Sequence, residues 1–563
     1  MTLHMASTPA SAGAGSRLWP RLAALVVLCL VCFVPGISSL PPTDRDESRY
    51  VQATKQMVET GDYVDIRLQE ESRYKKPIGI YWLQSAYVTL SGQGEQAPLW
   101  VYRLVSVSGG IAAVLFTFWA GLRFFGMQAG LLAAIGLAGI FGLQFEARIA
   151  KTDAVLLATA IAAQAALGFV YLAQRGGRAT GRWLPWAFWI AQGAGVLVKG
   201  PIVPLLSGLT VAFLLIFDRD RAWLRTLKPG RGILITALIA LPWLGLISWK
   251  AGMEFWQESV GNDLLGKVVE GQESHGFPPG YYFVAFSLFM WPFGLLVIDG
   301  TLKGLHRLRS DPRILFLFAW FVPFWLFFEL LPTKLPHYVL PAYPALLLLM
   351  AWALTDAGAR AIALSRWQKA IWWLALAGAV GVTLALAAAS LFAIPMVTGG
   401  FSVWGIIAAI AALAAGFVAT NTRLALPPLT RLAAGAVGAA VSVGILAAVI
   451  VPGLTPMWLS PRIAATFEKH RPCGDSVLIS AGYHEPSLVF LAGTQTKLVN
   501  GRQAARALMR DKSCGIAVVT NEEMERFVSA LPQGLGSVAE LARLDGVNYS
   551  KGDRLELVFF QAK

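Results

Sequence analysis

The residue types with most chemical potential in this sequence stand in short polar groups between apolar runs. The first group is Asp46-Glu47-Ser48-Arg49-Tyr50. In a helix over residues 46–60, Asp46, Arg49 and Tyr50 share one face, whereas Glu47 is turned about 100° away from them. An acid, a guanidinium and a phenol that project together indicate a candidate active site.

Asp46 also has a structural interpretation. Thr43 stands three positions before it, which is the spacing of a capping box, and a carboxylate favours the positive end of a helix. Gly61 predicts the end of the same helix. The pattern alone leaves the catalytic and capping roles of Asp46 open.

The second group is Arg73-Tyr74-Lys75-Lys76-Pro77, followed by an aromatic helix that contains Tyr81 and ends near Leu90. If the neighbouring apolar runs cross a membrane, these lysines stand just above its hydrocarbon layer, where they are well placed to meet a lipid phosphate. Generic interfacial placement of long cationic side chains is the alternative.

The third group runs from Glu146 to Asp153. Arg148 and Lys151 are one helical turn apart if this hairpin is helical, and Asp153 either belongs to a site or caps the next helix. Lys199 stands alone at the end of an apolar run, before Gly200-Pro201.

A proline-rich link at 331–341 carries further polar residues, namely Lys334, His337 and Tyr338. Its prolines predict a non-helical backbone at membrane depth. Such a backbone is tolerated only where it is buried in protein or lines a cavity.

The elements that position these groups are apolar. The chain has 563 residues, of which 56% are hydrophobic and 14% are charged, against about 45–50% and about 25% in soluble domains. The apolar runs predict an α-helical polytopic membrane protein with about thirteen transmembrane helices. They are 22–38, 100–120, 128–143, 154–173, 185–198, 200–217, 231–250, 281–300, 314–331, 338–355, 370–392, 402–420 and 431–452.

The charge distribution predicts the orientation. The net charge of +14 suggests a nucleic-acid partner at first, but the basic residues cluster in loops after the even-numbered runs, which is the pattern of cytoplasmic loops. The N-terminus is therefore predicted to be cytoplasmic and the tail periplasmic. A signal peptide is the alternative for the first run, but no small-residue cleavage pattern follows it.

We divide the chain accordingly. Residues 1–21 are predicted to be a disordered cytoplasmic N-terminus, and 22–455 a transmembrane domain with periplasmic loops at 39–99 and 251–280. Residues 456–563 are predicted to be a small soluble α/β domain.

In the tail, runs 476–480, 487–491 and 515–520 suggest strands, and 501–510 suggests a helix. Cys473 and Cys514 both lie there, on the side where an oxidising compartment would permit a disulfide, but the sequence leaves their pairing open.

The sequence indicates no metal site. Glu270, Glu273 and His275 lie near one another in the loop 251–280, but no second His or Cys stands at ligand spacing. A divalent metal is thus not indicated, and no nucleotide-binding motif is present.

Taken in order, the polar motifs resemble the GT-C membrane glycosyltransferases. The closest likeness is to the bacterial lipid A 4-amino-4-deoxy-L-arabinose transferase family (ArnT), within the protein mannosyltransferase superfamily. The likeness covers all thirteen runs and the tail. Its motifs are Asp46-Glu47-x-Arg49-Tyr50, Lys76-Pro77 with Tyr81-Trp82, Arg148 to Asp153, Lys199-Gly200-Pro201 and Lys334 to Pro341.

The resemblance implies an inverting glycosyltransferase of the bacterial inner membrane with a periplasmic active site. Such an enzyme moves 4-amino-4-deoxy-L-arabinose from undecaprenyl phosphate to a lipid A phosphate, which lowers the negative charge of lipid A and gives resistance to polymyxin. No nucleotide sugar or other cofactor is implied. The alternatives are transfer of another sugar, such as a hexuronic acid or mannose, to lipopolysaccharide core or protein, and a non-enzymatic polyprenyl-phosphate flippase.

The resemblance also implies residue roles. Asp46 and Glu47 match the acidic motif, with Asp46 central; Asp153 matches a second acid, and Lys76 matches the lysine that binds the carrier phosphate. Lys75 departs from the pattern, because close relatives carry an acid there, which affects recognition of the donor sugar. The remaining implied substrate-binding residues are Arg49, Tyr50, Tyr74, Tyr81, Arg148, Lys199, Lys334, His337 and Tyr338.

Overall fold

A computed structural model describes residues 18–175, 181–265 and 277–563 of the chain. The expectations about the first 17 residues, and about Glu270, Glu273 and His275, lie outside the described residues. Within the described ranges the chain forms a large group of apolar helices followed by a mixed α/β unit.

The longer helices before residue 456 are numbered here in chain order. They are α1 Leu18–Phe33, α2 Asp46–Thr60, α3 Gly79–Ser91, α4 Leu99–Phe125, α5 Met127–Gly139, α6 Phe141–Glu146, α7 Asp153–Arg175, α8 Leu184–Lys199, α9 Ile202–Phe217, α10 Pro229–Ala251, α11 Tyr281–Phe289, α12 Gly294–Leu305, α13 Pro312–Leu330, α14 Tyr343–Thr355, α15 Arg366–Thr398, α16 Val403–Thr420 and α17 Pro428–Ile445.

The apolar runs predicted from the sequence are helical. Each overlaps with one helix or with two or three consecutive helical segments. Among the described residues, eight helices are long and apolar enough to cross a membrane, and α1, α5 and α9 are shorter apolar helices. The chain is therefore mainly helical, as predicted, while the count of thirteen spans stays a prediction.

The first helix ends earlier than predicted. The apolar run 22–38 predicts a helix up to residue 38, but α1 ends at Phe33. Pro35 follows two residues later, and a proline disfavours helical backbone at the residue before it. Gly36 then takes a positive φ of 94°, a conformation that favours glycine.

The predicted end of α2 is confirmed. Gly61 follows Thr60 in the left-handed conformation, and its N–H donates to Met57 O. The capping-box alternative for Asp46 is wrong, because the carboxylate that pairs with Thr43 belongs to Glu47 and not to Asp46. Both the N–H and the hydroxyl of Thr43 lie 2.9 Å from Glu47 Oε2.

Two glycines allow the helices around the polar groups to approach closely. A Cβ on Gly79, at the start of α3, would lie 2.6 Å from Leu197 O near the end of α8. A Cβ on Gly109 in α4 would lie 2.8 Å from Val155 N near the start of α7. A larger residue at position 79 would push the end of α8, which carries Lys199, away from α3. A larger residue at position 109 would push the start of α7, which carries Asp153, away from α4.

The strands along the chain are β1 Arg67–Leu68, β2 Glu71–Ser72, β3 Leu478–Ala481, β4 Lys497–Val499, β5 Ile516–Thr520, β6 Pro532–Leu535, β7 Val538–Asn548 and β8 Asp553–Ala562. The tail contains a five-stranded sheet with the spatial order β4-β3-β5-β8-β7, in which β3 is parallel to β4 and β5, and β8 is antiparallel to β5 and β7. Strands β1 and β2 pair with each other outside this sheet.

Helices α18 Leu459–His470, α19 Pro486–Ala492, α20 Gly501–Arg510 and α21 Met524–Val528 accompany the sheet. The strand predicted at 487–491 is wrong, since those residues belong to α19, where Pro486 occupies the first turn. The helix predicted at 501–510 is confirmed. Cys473 and Cys514 form a disulfide, which settles the pairing that the sequence left open.

The tail packs directly against the segment 39–99. Gln52 Nε2 donates to Thr494 Oγ1 at 2.9 Å, and Gln69 Nε2 donates to Thr494 O at 2.9 Å. At the other end of this contact, the Asp44 N–H lies 2.6 Å from the Tyr549 hydroxyl. The α/β unit therefore holds both ends of the region that contains α2. Its boundary at residue 456 stays a prediction.

Candidate active site

Charged side chains from separate parts of the chain converge near the start of α2. Helix ends and turns supply all of them, and the packed helices fix their positions. They are Asp46 at the first position of α2, Arg73 and Lys76 before α3, Glu146 at the end of α6, Lys151 in the following turn, Asp153 at the start of α7, Lys199 at the end of α8, and His337 in the 3₁₀ segment Pro336–Ala342.

Asp153 and Lys199 form the shortest ion pair of this cluster. Lys199 Nζ lies 2.6 Å from Asp153 Oδ1, and both side chains are largely buried. They meet because α7 begins beside the point where α8 ends. The Asp153 carboxylate therefore faces a lysine, and the pair supplies a fixed charge arrangement next to Asp46.

Lys151 and His337 join this pair to a second buried acid. Lys151 Nζ lies 2.9 Å from Glu146 Oε2 and 3.7 Å from Asp153 Oδ2. The two ring nitrogens of His337 lie 3.7 Å from Glu146 and from Asp153 respectively. Acids and bases thus alternate among these five residues, and each of the two buried acids lies beside a cation, which offsets the cost of burying its charge.

Asp46 differs from the other acids. Its side chain is exposed, and within the described ranges no hydrogen bond or ion pair joins its carboxylate to another side chain. Partial loss of water around the carboxylate raises its pKa, but the charges of Lys151, Arg73 and Lys76 lower it more, so the net pKa lies below the ordinary value. Asp46 is therefore an ionised, accessible carboxylate beside several cations.

Arg73 and two tyrosines form the adjoining wall. The Arg73 guanidinium lies 5.4 Å from the ring centroid of Tyr50, and the Tyr50 and Tyr81 rings are 5.6 Å apart. All three side chains are buried, and Arg73 Nε has no hydrogen-bond partner among the described residues. A buried guanidinium with a free N–H is suited to an anionic ligand.

Besides the cluster member Lys76, two other predicted residues, Tyr338 and Arg49, border the cluster. Lys76 is half-buried, and its ammonium donates to Lys75 O at 2.9 Å. Lys199 Nζ lies 5.7 Å from the ring centroid of Tyr338. Arg49 lies on the same face of α2 as Asp46, one turn further along the helix.

Glu47 lies apart from the cluster. Its carboxylate accepts hydrogen bonds from Arg103 Nε at 2.8 Å, Arg103 Nη2 at 2.9 Å and the Ala150 N–H at 2.8 Å, besides those from Thr43. Because both oxygens are occupied and the side chain is buried, Glu47 has the contacts of a structural residue.

Three more predicted binding residues make internal contacts. Arg148 donates to Pro35 O and Gln144 O, Lys334 donates to Phe277 O and Leu331 O, and the Tyr74 hydroxyl donates to Asp65 Oδ1. All three are buried. The structure does not bring them to the charged cluster.

Conversely, Glu146, Lys151 and Arg73 belong to the cluster but were not among the predicted site residues. The charged run from Glu146 to Asp153 was the available signal. Residues 147–152 do not form a regular helix, so the helical spacing that paired Arg148 with Lys151 does not apply. Arg148 turns into the protein, while Lys151 turns towards the acids.

The described residues include one group with ligand-type side chains close together, Cys473, Asp475 and Cys514. The two sulfurs are joined in the disulfide, so they cannot serve as thiolate ligands.

Sequence comparison links the chain to lipid-linked sugar transferases. The family model for dolichyl-phosphate-mannose-protein mannosyltransferase matches residues 39–257. An uncharacterized Aquifex aeolicus protein is 26% identical over 329 residues, covering 58% of this chain and 72% of its own length. The undecaprenyl phosphate-alpha-4-amino-4-deoxy-L-arabinose arabinosyl transferase of Yersinia enterocolitica is 25% identical over 348 residues, covering 61% of this chain and 60% of its own length.

Structure comparison extends the likeness to almost the whole chain. The crystal structure of ArnT from Cupriavidus metallidurans bound to undecaprenyl phosphate superposes with a TM-score of 0.71 at 20% identity, covering 97% of this chain and 98% of that chain. At this identity the likeness shows a shared fold. It includes both the helical part and the tail.

Proposed function

We propose that this protein, a GT-C membrane glycosyltransferase of the ArnT-like kind that uses a lipid-linked sugar donor, transfers 4-amino-4-deoxy-L-arabinose from undecaprenyl phosphate to a phosphate of lipid A. The observation that carries the proposal is the exposed, ionised carboxylate of Asp46 among Arg73, Lys76 and Lys151. This arrangement suits a reaction between a sugar and two phosphates.

The reaction requires one bond to break and one to form at the anomeric carbon. The bond from that carbon to the carrier phosphate oxygen breaks, and its electron pair leaves with undecaprenyl phosphate. An oxygen of the acceptor phosphate bonds to the same carbon from the opposite face, which inverts its configuration. Because that phosphate is already ionised, no proton has to be removed.

The cations provide the electrostatic part of catalysis. Negative charge grows on the carrier phosphate as the glycosidic bond breaks, and fixed positive groups nearby stabilise it without reorganisation. Lys76 is the proposed principal phosphate ligand, with Arg73 and Lys151 contributing charge. Asp153, held by Lys199 at 2.6 Å and lying 3.7 Å from the Lys151 ammonium, would fix the position of Lys151.

Asp46 has a different proposed role. Positive charge develops on the sugar ring as the leaving group departs, and an ionised carboxylate beside it stabilises that charge. The same carboxylate also orients the donor for in-line attack. A lowered pKa favours this role, since it keeps Asp46 ionised.

The proposed location is the bacterial inner membrane, with the N-terminus in the cytoplasm and both Asp46 and the tail in the periplasm. The basic loops after the even-numbered apolar runs support this orientation. The disulfide in the tail is compatible with it, because disulfides persist in the periplasm.

One observation favours a second candidate, an anionic donor sugar such as a hexuronic acid. Lys75 is exposed beside Lys76, where the resemblance leads us to expect an acid. A lysine repels an amino sugar and attracts a carboxylate. Donors that carry each sugar on the same carrier would distinguish the two candidates.

Mass spectrometry of lipid A tests the proposal in cells that make the undecaprenyl-linked donor but lack their own transferase. The parent chain is expected to add the mass of one aminoarabinose to lipid A, and Asp46→Asn to add none at equal membrane abundance. If lipid A stays unmodified in cells that express the parent chain, the proposed donor and acceptor pair is wrong.

A further inference from the structure

A large cleft lies between the segment 39–99 and the α/β unit. Its volume is about 1260 Å³, more than the roughly 300–1,000 Å³ of typical small-molecule pockets. One wall comes from residues around the start of α2 and the β1–β2 hairpin, and the other comes from the tail. The cleft can therefore hold a headgroup of several sugar rings.

The walls carry more positive than negative side chains. Four glutamates face six lysines and arginines, and the carboxylate of one of these glutamates, Glu485, is buried and already accepts a hydrogen bond from Asn548 Nδ2 at 2.9 Å. The cations are Arg45, Arg49, Arg73, Lys75, Lys497 and Lys551. Amide side chains of Gln69 and Gln495 lie among them, so the lining suits both phosphates and sugar hydroxyls.

Arg73 supplies a second indication of a ligand. It lines the cleft although its side chain is only 7% exposed, and its Nε has no partner in the described parts of the chain. An unsatisfied buried N–H is unfavourable, and an anionic group in the cleft would satisfy it.

The cleft leads to the charged cluster. Arg73 belongs to both, since it lines the cleft and lowers the pKa of Asp46. Arg49 lines the cleft one helical turn from Asp46. A molecule in the cleft would thus be positioned to present a phosphate to the sugar bound beside Asp46.

We propose that this cleft binds the headgroup of the acceptor, a phosphorylated glycolipid, and that the α/β unit contributes Lys497 and Lys551 to its recognition. The inference rests on the proposed function for the identity of the reaction. The six cations all lie outside the eight helices that could cross a membrane, whereas the polyprenyl chain of the donor requires apolar surroundings. The acceptor headgroup is therefore the better occupant.

Lys497 and Lys551 are exposed, so their replacement leaves the fold intact. The test measures binding of diphosphoryl lipid A, and of the same lipid after removal of both phosphates, to the full-length protein in detergent. The Lys497→Ala/Lys551→Ala double variant is compared with Lys469→Ala/Lys512→Ala, which removes two exposed tail lysines outside the cleft.

The parent is expected to bind the diphosphoryl form about tenfold more tightly, the effect of one charge-assisted hydrogen bond. The cleft double variant is expected to lose most of this preference, while the control keeps it and all proteins bind undecaprenyl phosphate equally. Equal affinities for the two lipids in the parent, an undiminished preference in the cleft variant, or weakened undecaprenyl phosphate binding in that variant would overturn the proposal.

A transfer assay on the same proteins separates this inference from the proposed function. If the parent binds diphosphoryl lipid A through Lys497 and Lys551 but transfers no aminoarabinose, the acceptor site is supported and the proposed reaction is wrong. If the parent transfers the sugar and the double variant leaves the KM for lipid A unchanged, the proposed reaction is supported and the acceptor site is wrong.

Discussion

Arg103 forms a two-point ion pair with Glu47, with Nε 2.8 Å from Oε1 and Nη2 2.9 Å from Oε2. Arg103 also donates to the carbonyls of Ile37, Leu40 and Pro41. The pair thus ties α4 to the chain that leads into α2. Asp46 directly precedes Glu47 in the chain, and its side chain stays accessible.

The pair predicts that Glu47 contributes to stability. Glu47→Gln leaves the buried Arg103 without its counter-charge, and breaking one partner of a buried pair costs about 3–5 kcal/mol. Thermal unfolding in detergent should therefore show a clearly lower Tm for Glu47→Gln, whereas Asp46→Asn unfolds like the parent. A Glu47→Gln protein with the parent's Tm but no transfer would instead make Glu47 catalytic.

Lys76 is predicted to bind the carrier phosphate. Lys76→Ala removes a charge-assisted hydrogen bond worth about 1.5–3 kcal/mol, so the Kd for undecaprenyl phosphate should rise roughly ten- to a hundredfold. Fluorescence-based titration of the purified protein measures this. Lys512→Ala makes the same charge change at an exposed tail position and should keep the parent's Kd; an unchanged Kd in Lys76→Ala would remove Lys76 from the phosphate site.

The charges around Asp46 predict a pH effect. Lys151 is the strongest of the cations that lower the Asp46 pKa, so removing it should raise that pKa. In the proposed mechanism Asp46 must be ionised, so as the pH is lowered the rate should begin to fall at a higher pH in the variant than in the parent. Glu146→Gln/Lys151→Gln removes the positive charge of Lys151 together with the carboxylate of its ion-pair partner Glu146. Both replacement side chains can still hydrogen-bond.

The measurement is the pH profile of kcat for this double variant, the parent and Lys512→Gln. The acid limb of the double variant should shift upward towards the ordinary carboxyl range, and that of Lys512→Gln should not move. An acid limb in the double variant that stays in place, at an unchanged Tm, would contradict the electrostatic account.

The disulfide predicts the state of the cysteines. Cys473 and Cys514 are bonded, while Cys29 and Cys32 are free and buried. Protein isolated from membranes and denatured without a reductant should bind maleimide at two cysteines, and at four after reduction. Four reactive cysteines without reduction would contradict the disulfide and would weaken the periplasmic placement of the tail.

Local features of the sequence were sufficient to predict several elements. The apolar runs predicted the helices because burial in a membrane or core requires continuous apolar sequence. Gly61 predicted the end of α2 because the left-handed conformation there favours glycine. Asp46, Asp153 and Lys199 could be selected because isolated charges next to apolar helices need partners.

Other features depend on contacts between distant residues. Glu47 pairs with Arg103, which is 56 positions away, and no local pattern distinguishes such a pair from two acids in one site. The choice between Arg148 and Lys151 depended on an irregular turn at 147–152. Lys334 was expected to face phosphate, but the proline-rich link places its ammonium against the carbonyls of Phe277 and Leu331.

The most direct test of the account compares the purified parent with Asp46→Asn in a transfer assay that uses undecaprenyl-linked aminoarabinose and lipid A. Asparagine has almost the same shape and is at least as good a helix cap as aspartate, but it carries no charge. We expect kcat to fall about 10²–10³-fold, as when a single group that stabilises transition-state charge is removed, with Tm and the Kd for undecaprenyl phosphate unchanged. An Asp46→Asn protein that retains a large part of the parent's kcat would show that Asp46 is structural and would contradict the account.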